Sequence, residues 1–142
     1  MEYEKVTEKI IGCAYKVYNK MGFGFLESVY EKCMMIELER AGLKAKNQYP
    51  IAVCYDEYAV GNFDADIFVE NEIIVELKSV AALIRKHEVQ LVHYLTSTKK
   101  NVGLLINFGE DKVEIKRKVR EFPKPEVSES SSSNPVNPVN PV

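Results

Sequence analysis

Apolar positions at helical spacing dominate the N-terminal part of the chain. Between residues 4 and 21 they recur every three or four residues, at Val6, Ile10, Cys13, Ala14, Val17 and Met21. This spacing is typical of an amphipathic helix. Gly22-Phe23-Gly24 ends the pattern, because glycine readily adopts the positive φ that closes a helix. A second helix is predicted from Leu26 to Ala41 with Gly42 after it, so this part of the chain is predicted to form a helical hairpin.

Beyond residue 44 the pattern changes to short apolar runs separated by polar turns. Strands are predicted at residues 51–55, at 58–69 with a break or bend at Gly61-Asn62, at 73–78, at 102–108 and at 113–116, and a helix at 83–98. The run from Val102 to Phe108 is nearly continuous, which is typical of a central strand covered on both faces. The predicted order is α-α-β-β-β-α-β-β, an α/β (α+β) fold in which helices flank a mixed central β-sheet.

The last twenty residues differ in composition from the rest of the chain. They contain several prolines, the serine run at 130–133 and three copies of Asn-Pro-Val that end at Val142. Such a segment has too little apolar surface to offset the entropy of an ordered chain. We therefore expect one folded domain over residues 1–122 and a disordered tail over residues 123–142, with a peptide-docking role for the repeats as the alternative.

Charge and cysteine content exclude a few classes of protein. The net charge of −2 provides no overall basic field, although basic residues cluster near the end of the domain, at Lys112, Lys116, Arg117, Lys118 and Arg120. The three cysteines lack metal-ligand spacing, which argues against a disulfide scaffold or a zinc site and favours reduced thiols. No run approaches the ~20 apolar residues that span a bilayer, and no secretory leader is recognisable. We expect a cytoplasmic protein without membrane contact.

Charged residues stand in two apolar strands that are joined by a tight turn. Asp66 lies in the first of these strands, and Glu76 and Lys78 end the second. Such a charge costs several kcal/mol in an apolar environment unless it is paired or bound to a metal. Glu76 and Lys78 share one face of their strand, and pairing through the turn at 70–72 would bring Asp66 across from them. Converging carboxylates favour Mg²⁺ or Mn²⁺, and the alternative is a Glu76–Lys78 ion pair with only a structural role.

Two helices supply further candidate residues. Glu27 begins the second helix, where the helix dipole alone would favour a carboxylate, but Tyr30 on the same face allows Glu27 to point toward a cleft and join the metal. On the third long helix His87, Gln90 and Tyr94 form one polar stripe that could line a groove. The alternative for this stripe is a partly buried interface whose polar groups meet backbone partners.

These residues resemble the motifs of a known family. Residues 24–30, Gly-Phe-Leu-Glu-Ser-Val-Tyr, match the pattern that names the GxxExxY proteins. Asp66 followed by Glu76-Leu77-Lys78 resembles the Asp…(Asp/Glu)-x-Lys motif of the wider PD-(D/E)XK nuclease superfamily. Residues 90–94 resemble the Gln-x-x-x-Tyr motif of its exonuclease-like branches, and the similarity extends over nearly all of residues 5–120.

The resemblance implies a restriction-endonuclease-like core and Mg²⁺-dependent (or Mn²⁺-dependent) hydrolysis of phosphodiester bonds. It favours DNA over RNA as the substrate. The implied catalytic residues are Asp66, Glu76, Lys78 and Glu27, the implied metal ligands are Asp66, Glu76 and Glu27, and the implied substrate groove is lined by Gln90, Tyr94, Tyr30 and His87. Asp64 would share the strand face of Asp66, but the apolar run that begins directly after Asp66 favours Asp66.

A second function stays open beside the nuclease. A module that keeps the fold but binds nucleic acid or protein without cleaving it would also fit the modest basic charge. The presence of all three of Asp66, Glu76 and Lys78 favours the nuclease, since a module that only binds does not need them. A homodimer or a larger complex is expected, because so small a domain often needs a second copy or a partner to hold a duplex.

Overall fold

A computed structural model describes residues 2–120, which form three helices and one five-stranded sheet. The helices are α1 (Tyr3–Met21), α2 (Glu27–Arg40) and α3 (Arg85–Thr98). The strands are β1 (Ala45–Tyr55), β2 (Tyr58–Val69), β3 (Ile73–Lys78), β4 (Val102–Phe108) and β5 (Val113–Val119). This order confirms the predicted α-α-β-β-β-α-β-β arrangement. The predicted tail at 123–142 lies outside the described residues.

The strands lie side by side in the order in which they occur along the chain. β3 and β4 are parallel, because α3 carries the chain from the end of one to the start of the other. The other three neighbouring pairs are antiparallel, so the sheet is mixed, as predicted.

Helices cover both faces of the sheet and bury two separate apolar clusters. α1 and α2 pack on one face and α3 packs on the other. Every residue of β4 is buried, with Leu104 and Ile106 in the α1/α2 cluster and Leu105 in the α3 cluster. The prediction of a central strand covered on both faces is therefore confirmed.

The β1–β2 hairpin differs from its prediction at two points. β1 begins at Ala45, six residues before the predicted start at Ile51. The apolar pattern does not predict these six residues as strand, because they are mostly exposed and form no apolar run. β2 continues through Gly61-Asn62 without a break, since Val53 pairs with Gly61 on the neighbouring strand. The bend predicted there takes the form of a register shift next to Gly61, where the pairing of consecutive β1 residues Val53 and Cys54 skips Val60 of β2. The hairpin thus reaches well past β3, which pairs with β2 only at residues 67–69.

None of the three helices within residues 2–120 combines the length and the apolar character that a membrane crossing requires.

Candidate functional site

β2 and β3 separate at Asp66 and Glu76, and the gap between these strands is the candidate site. Their antiparallel ladder ends with the pair Ile67 and Val75. One residue further along, the backbone N–H of Asp66 donates to Glu76 Oε2 at 3.1 Å, and the N–H of Leu77 donates to Asp66 Oδ2 at 2.8 Å. Each carboxylate thus accepts a hydrogen bond from the opposite strand, where the ladder no longer provides one. The structure brings Asp66 and Glu76 together as the predicted pairing required.

Asp64, the alternative to Asp66, lies apart from this pair. Its side chain is exposed, and its backbone pairs with Pro50 on the far side of β2. No hydrogen bond among residues 2–120 joins Asp64 to Glu76. The geometry therefore supports Asp66 as the aspartate of the site.

Burial and neighbouring negative charges raise the pKa of both carboxylates. Burial, followed by the charge of Asp66, raises the pKa of Glu76 from 4.5 to about 8. Burial also raises the pKa of Asp66, although the hydrogen bond from Leu77 acts in the opposite direction. Lys78 lowers both pKa values through its charge, yet it takes part in none of the ion pairs within residues 2–120. Two such carboxylates favour a proton or a cation between them.

α3 borders the gap on one side and presents the predicted polar stripe to it. Glu76 and Lys78 line a cleft of about 20 Å³, which is room for a single water molecule. The other residues that line this cleft are His87, Gln90, Leu91, Tyr94 and Leu105. The ring of Tyr94 stacks on Phe63 with centroids 3.8 Å apart, and His87 Nδ1 accepts a 3.3 Å hydrogen bond from the N–H of Ile84. His87 therefore also serves the start of α3, while Gln90 is exposed and free to meet a ligand.

α2 borders the gap on the other side with two carboxylates. Glu27 raises the pKa of Glu76 through its charge, but no hydrogen bond within residues 2–120 joins it to Asp66 or Glu76. Glu31 follows one turn later and was not predicted. Its carboxylate accepts hydrogen bonds from Gln48 Nε2 at 2.7 Å and Asn47 Nδ2 at 2.9 Å. Gln48 Nε2 also lies 3.4 Å from Asp66 Oδ1, which connects α2 to the carboxylate pair.

The loop between Lys78 and α3 is held by a buried asparagine. Asn107 is fully buried, and its Oδ1 accepts the N–H of Val80 at 2.9 Å. Its Nδ2 donates to the carbonyl of Val80 and to Glu114 Oε1, each at 2.9 Å. The same Glu114 oxygen accepts the N–H of Leu83 at 2.9 Å, and these donors lower the pKa of Glu114. The clamp fixes the segment that joins the β3 site residues to the α3 site residues.

Tyr30 belongs to the core and not to the groove. Its side chain is 0% exposed, its ring stacks on Phe108 with centroids 4.2 Å apart, and its hydroxyl donates to the carbonyl of Gly22. Tyr30 shares the inward stripe of α2 with Met34 and Leu38. The prediction that Tyr30 lines a substrate groove is therefore wrong, because its ring is required for packing.

Tyr30→Phe is expected to lower the free energy of unfolding by about 1 kcal/mol, because the ring stays stacked while the carbonyl of Gly22 loses its hydroxyl partner. Urea unfolding followed by circular dichroism measures this change. An unchanged free energy of unfolding in Tyr30→Phe would contradict this role of the hydroxyl in the core.

A comparison with known families decides which class of protein has this arrangement. The family model described as the PD-(D/E)XK nuclease superfamily matches residues 4–118. The chain belongs to the PD-(D/E)XK nuclease superfamily. Searches of curated proteins and of solved structures each found no match. The five-stranded mixed sheet and the element order agree with the restriction-endonuclease-like fold expected of a PD-(D/E)XK nuclease.

The donors at the gap suit the divalent metals that PD-(D/E)XK nucleases generally use. No group of three or more His, Cys, Asp or Glu side chains within residues 2–120 is arranged to hold a metal ion. The predicted set of Asp66, Glu76 and Glu27 is thus not assembled, because Glu27 stands in the exposed first turn of α2. Mg²⁺ usually takes one or two protein carboxylates and completes its shell with water and phosphate oxygens. Asp66 and Glu76 fit that requirement.

Proposed function

We propose that this chain is a metal-dependent nuclease that hydrolyses phosphodiester bonds of DNA, or of RNA, at Asp66, Glu76 and Lys78. The observation that carries the proposal is the separation of β2 and β3 at two carboxylates of raised pKa. Lys78 lies two residues after Glu76 on the same strand face and lines the same cleft. Structural ion pairs alone would not account for this arrangement, because Lys78 pairs with neither carboxylate within residues 2–120.

Asp66 and Glu76 would hold Mg²⁺ or Mn²⁺, with Glu27 adding negative charge from α2. Bound there, the metal would polarise the scissile phosphate and lower the pKa of the attacking water. Lys78 would orient that water or stabilise the charge that develops on the phosphate oxygens. Water adds to phosphorus, the bond to one ester oxygen breaks, and that oxygen leaves with a proton.

α3 would position the substrate over the mouth of the cleft. A cleft of about 20 Å³ admits a water molecule but no phosphodiester, so the nucleic acid would lie across its opening. Gln90, exposed at this edge, would donate a hydrogen bond to a phosphate or a base. Tyr94, whose ring is fixed by stacking on Phe63, would support this contact of Gln90. His87 would line the groove beside Gln90 and Tyr94.

Four finer assignments stay predictions. Membership of the GxxExxY proteins is supported by Glu27 at the start of α2, and a homodimer or larger complex by the small size of the domain. Preference for DNA over RNA follows from the resemblance alone. A cytoplasmic location is supported by Cys13, Cys33 and Cys54, which are free thiols.

Lys78→Met is expected to abolish cleavage and leave the fold intact, because Lys78 is partly exposed and unpaired within residues 2–120. The test is a cleavage screen over single-stranded, duplex and branched DNA and RNA, with Mg²⁺, Mn²⁺ or a chelator. Wild-type protein should cut at least one substrate, and only with metal. Lys9→Met, on the exposed side of α1, is the matched control and should cut like wild-type.

Two results of the screen would count against the proposal. Cleavage that survives in Lys78→Met would come from a contaminant or from another site. Binding of nucleic acid without cleavage under every metal condition would favour the catalytically silent module.

A further inference from the structure

Gln48 has a backbone conformation that is unusual for a residue inside a strand. Its φ is +48°, in the left-handed region where an L side chain is strained. The other non-glycine residues with positive φ among residues 2–120 lie in turns or at a helix end: Asp56, Glu70, Asn71 and Lys99. Strain of this kind persists only where the surrounding structure enforces it, so Gln48 requires an explanation.

The strand pair changes its orientation at Gln48. Regular pairing between β1 and β2 continues on both sides of it, but Gln48 itself forms no ladder pair with Asp66. On β2, the two neighbours of Asp66 pack on different faces of the sheet. Ile67 packs in the α1/α2 cluster and Ala65 packs in the α3 cluster. Two residues that are two positions apart would share a face in a regular strand. The unusual φ lies at this turn of the strands, but it does not determine where the amide points.

The amide of Gln48 stands between two carboxylates. Its Nε2 donates to Glu31 Oε1 at 2.7 Å and lies 3.4 Å from Asp66 Oδ1. Asn47 donates to the second oxygen of Glu31 at 2.9 Å, and the N–H of Leu77 donates to the second oxygen of Asp66 at 2.8 Å. Both oxygens of each carboxylate therefore have a donor, and none of these donors is charged. The Asp66 carboxylate has one orientation as a result.

We propose that Gln48 is a positioning residue of the nuclease site, which orients the Asp66 carboxylate for the metal by joining it to Glu31 of α2. The proposal rests on the proposed function, in which Asp66 is a metal ligand. Side chains that hydrogen-bond to a metal ligand typically change metal affinity ~10–100-fold when they are removed. Gln48 would act through Asp66, whose carboxylate its amide approaches.

Two substitutions separate the amide from the backbone conformation. Gln48→Gly removes the amide and relieves the strain, because glycine adopts a positive φ freely. Gln48→Asn also tolerates this φ, but its side chain is one methylene shorter and cannot reach both carboxylates. Asp56→Gly is the matched control, since Asp56 has a φ of +53° in the exposed β1–β2 turn. If residue 48 had only a structural role, glycine would fulfil it as well as glutamine does.

The measurement is Mn²⁺ affinity by isothermal titration calorimetry, together with the melting temperature of the metal-free protein. Gln48→Gly and Gln48→Asn should each bind Mn²⁺ at least about tenfold more weakly, with no loss of melting temperature in the glycine variant. Asp56→Gly should bind like wild-type. Wild-type affinity in both Gln48 variants would overturn the proposal.

A second readout does not depend on the metal. The N–H of Leu77 donates to Asp66, so its amide proton resonance reports how that carboxylate is oriented. Both Gln48 variants should shift this resonance in the metal-free protein, and an unchanged resonance would overturn the proposal. If wild-type protein bound no Mn²⁺, the proposed function would fail, and this resonance would still decide whether Gln48 orients Asp66.

Discussion

Glu76→Gln is expected to lower metal-dependent cleavage by at least about 100-fold and to raise the melting temperature of the metal-free protein. Glutamine keeps an oxygen that can accept the N–H of Asp66, a bond that Glu76 Oε2 now makes at 3.1 Å. It carries no charge to bind a cation. Substitution of a residue that serves only stability would lower both the activity and the melting temperature. A fall in activity together with a rise in melting temperature therefore identifies a functional group.

The stability gain depends on pH, and its sign follows from the raised pKa of Glu76. Folding raises this pKa from 4.5 to about 8, because burial and Asp66 penalise the charged form. The folded state keeps a proton that the unfolded chain loses, so this group's contribution to stability falls as the pH rises from 4.5 to about 8. The glutamine variant has no such dependence. The free energy of unfolding of the variant should therefore match that of wild-type near pH 4 and exceed it above pH 8, by an amount on the order of 5 kcal/mol.

Thermal unfolding at several pH values, with and without Mn²⁺, measures these changes. Saturating Mn²⁺ should stabilise wild-type protein and leave Glu76→Gln unaffected, because only the charged site binds the ion. Glu57→Gln, in the exposed β1–β2 turn, is the control and should behave like wild-type throughout. Equal melting temperatures of wild-type and Glu76→Gln at all pH values would contradict the raised pKa.

Asn107→Leu is expected to lower the free energy of unfolding by about 2–3 kcal/mol. The two side chains are similar in size, but leucine leaves the N–H and carbonyl of Val80 without the partners they have at 2.9 Å. Glu114 also loses a donor. The loop that carries the chain from Lys78 to α3 should loosen, and cleavage should fall because Lys78 and Gln90 no longer keep their relative positions.

Urea unfolding gives the stability change, and hydrogen exchange at Val80 and Leu83 shows whether the loop opens locally. Asn62→Leu, at an exposed position of β2, is the matched control and should change stability by less than about 0.5 kcal/mol. Slow exchange at Val80 in Asn107→Leu would mean that the asparagine does not hold the loop.

The residue pattern was sufficient to predict the carboxylate pair. Glu76 and Lys78 alternate with Leu77 in an apolar strand, and a short polar turn connects them to Asp66, so strand periodicity alone placed them together. β4 was equally clear, because a strand buried on both faces has no polar positions to interrupt it. In both cases the deciding contacts are local or repeat with the period of the strand.

Residues whose role depends on distant contacts were missed or misread. Glu31 and Gln48 are 17 positions apart and meet because α2 packs against β1, and nothing in the local sequence indicates a left-handed residue at 48. The resemblance implies that Tyr30 lines a groove, but stacking on Phe108, which lies on a remote strand, puts its ring in the core. Asn107 lies in an apolar run, and nothing in the local sequence indicates that its side chain holds the loop at Val80.

Titration of ¹⁵N-labelled protein with Mn²⁺ tests the central claim, that Asp66 and Glu76 form a divalent-metal site, most directly. Paramagnetic broadening should appear first at the amides of Asp66, Ile67, Glu76 and Leu77, at or below millimolar metal, and should be absent in Glu76→Gln. Broadening centred elsewhere, or equal broadening in wild-type and Glu76→Gln, would contradict the claim.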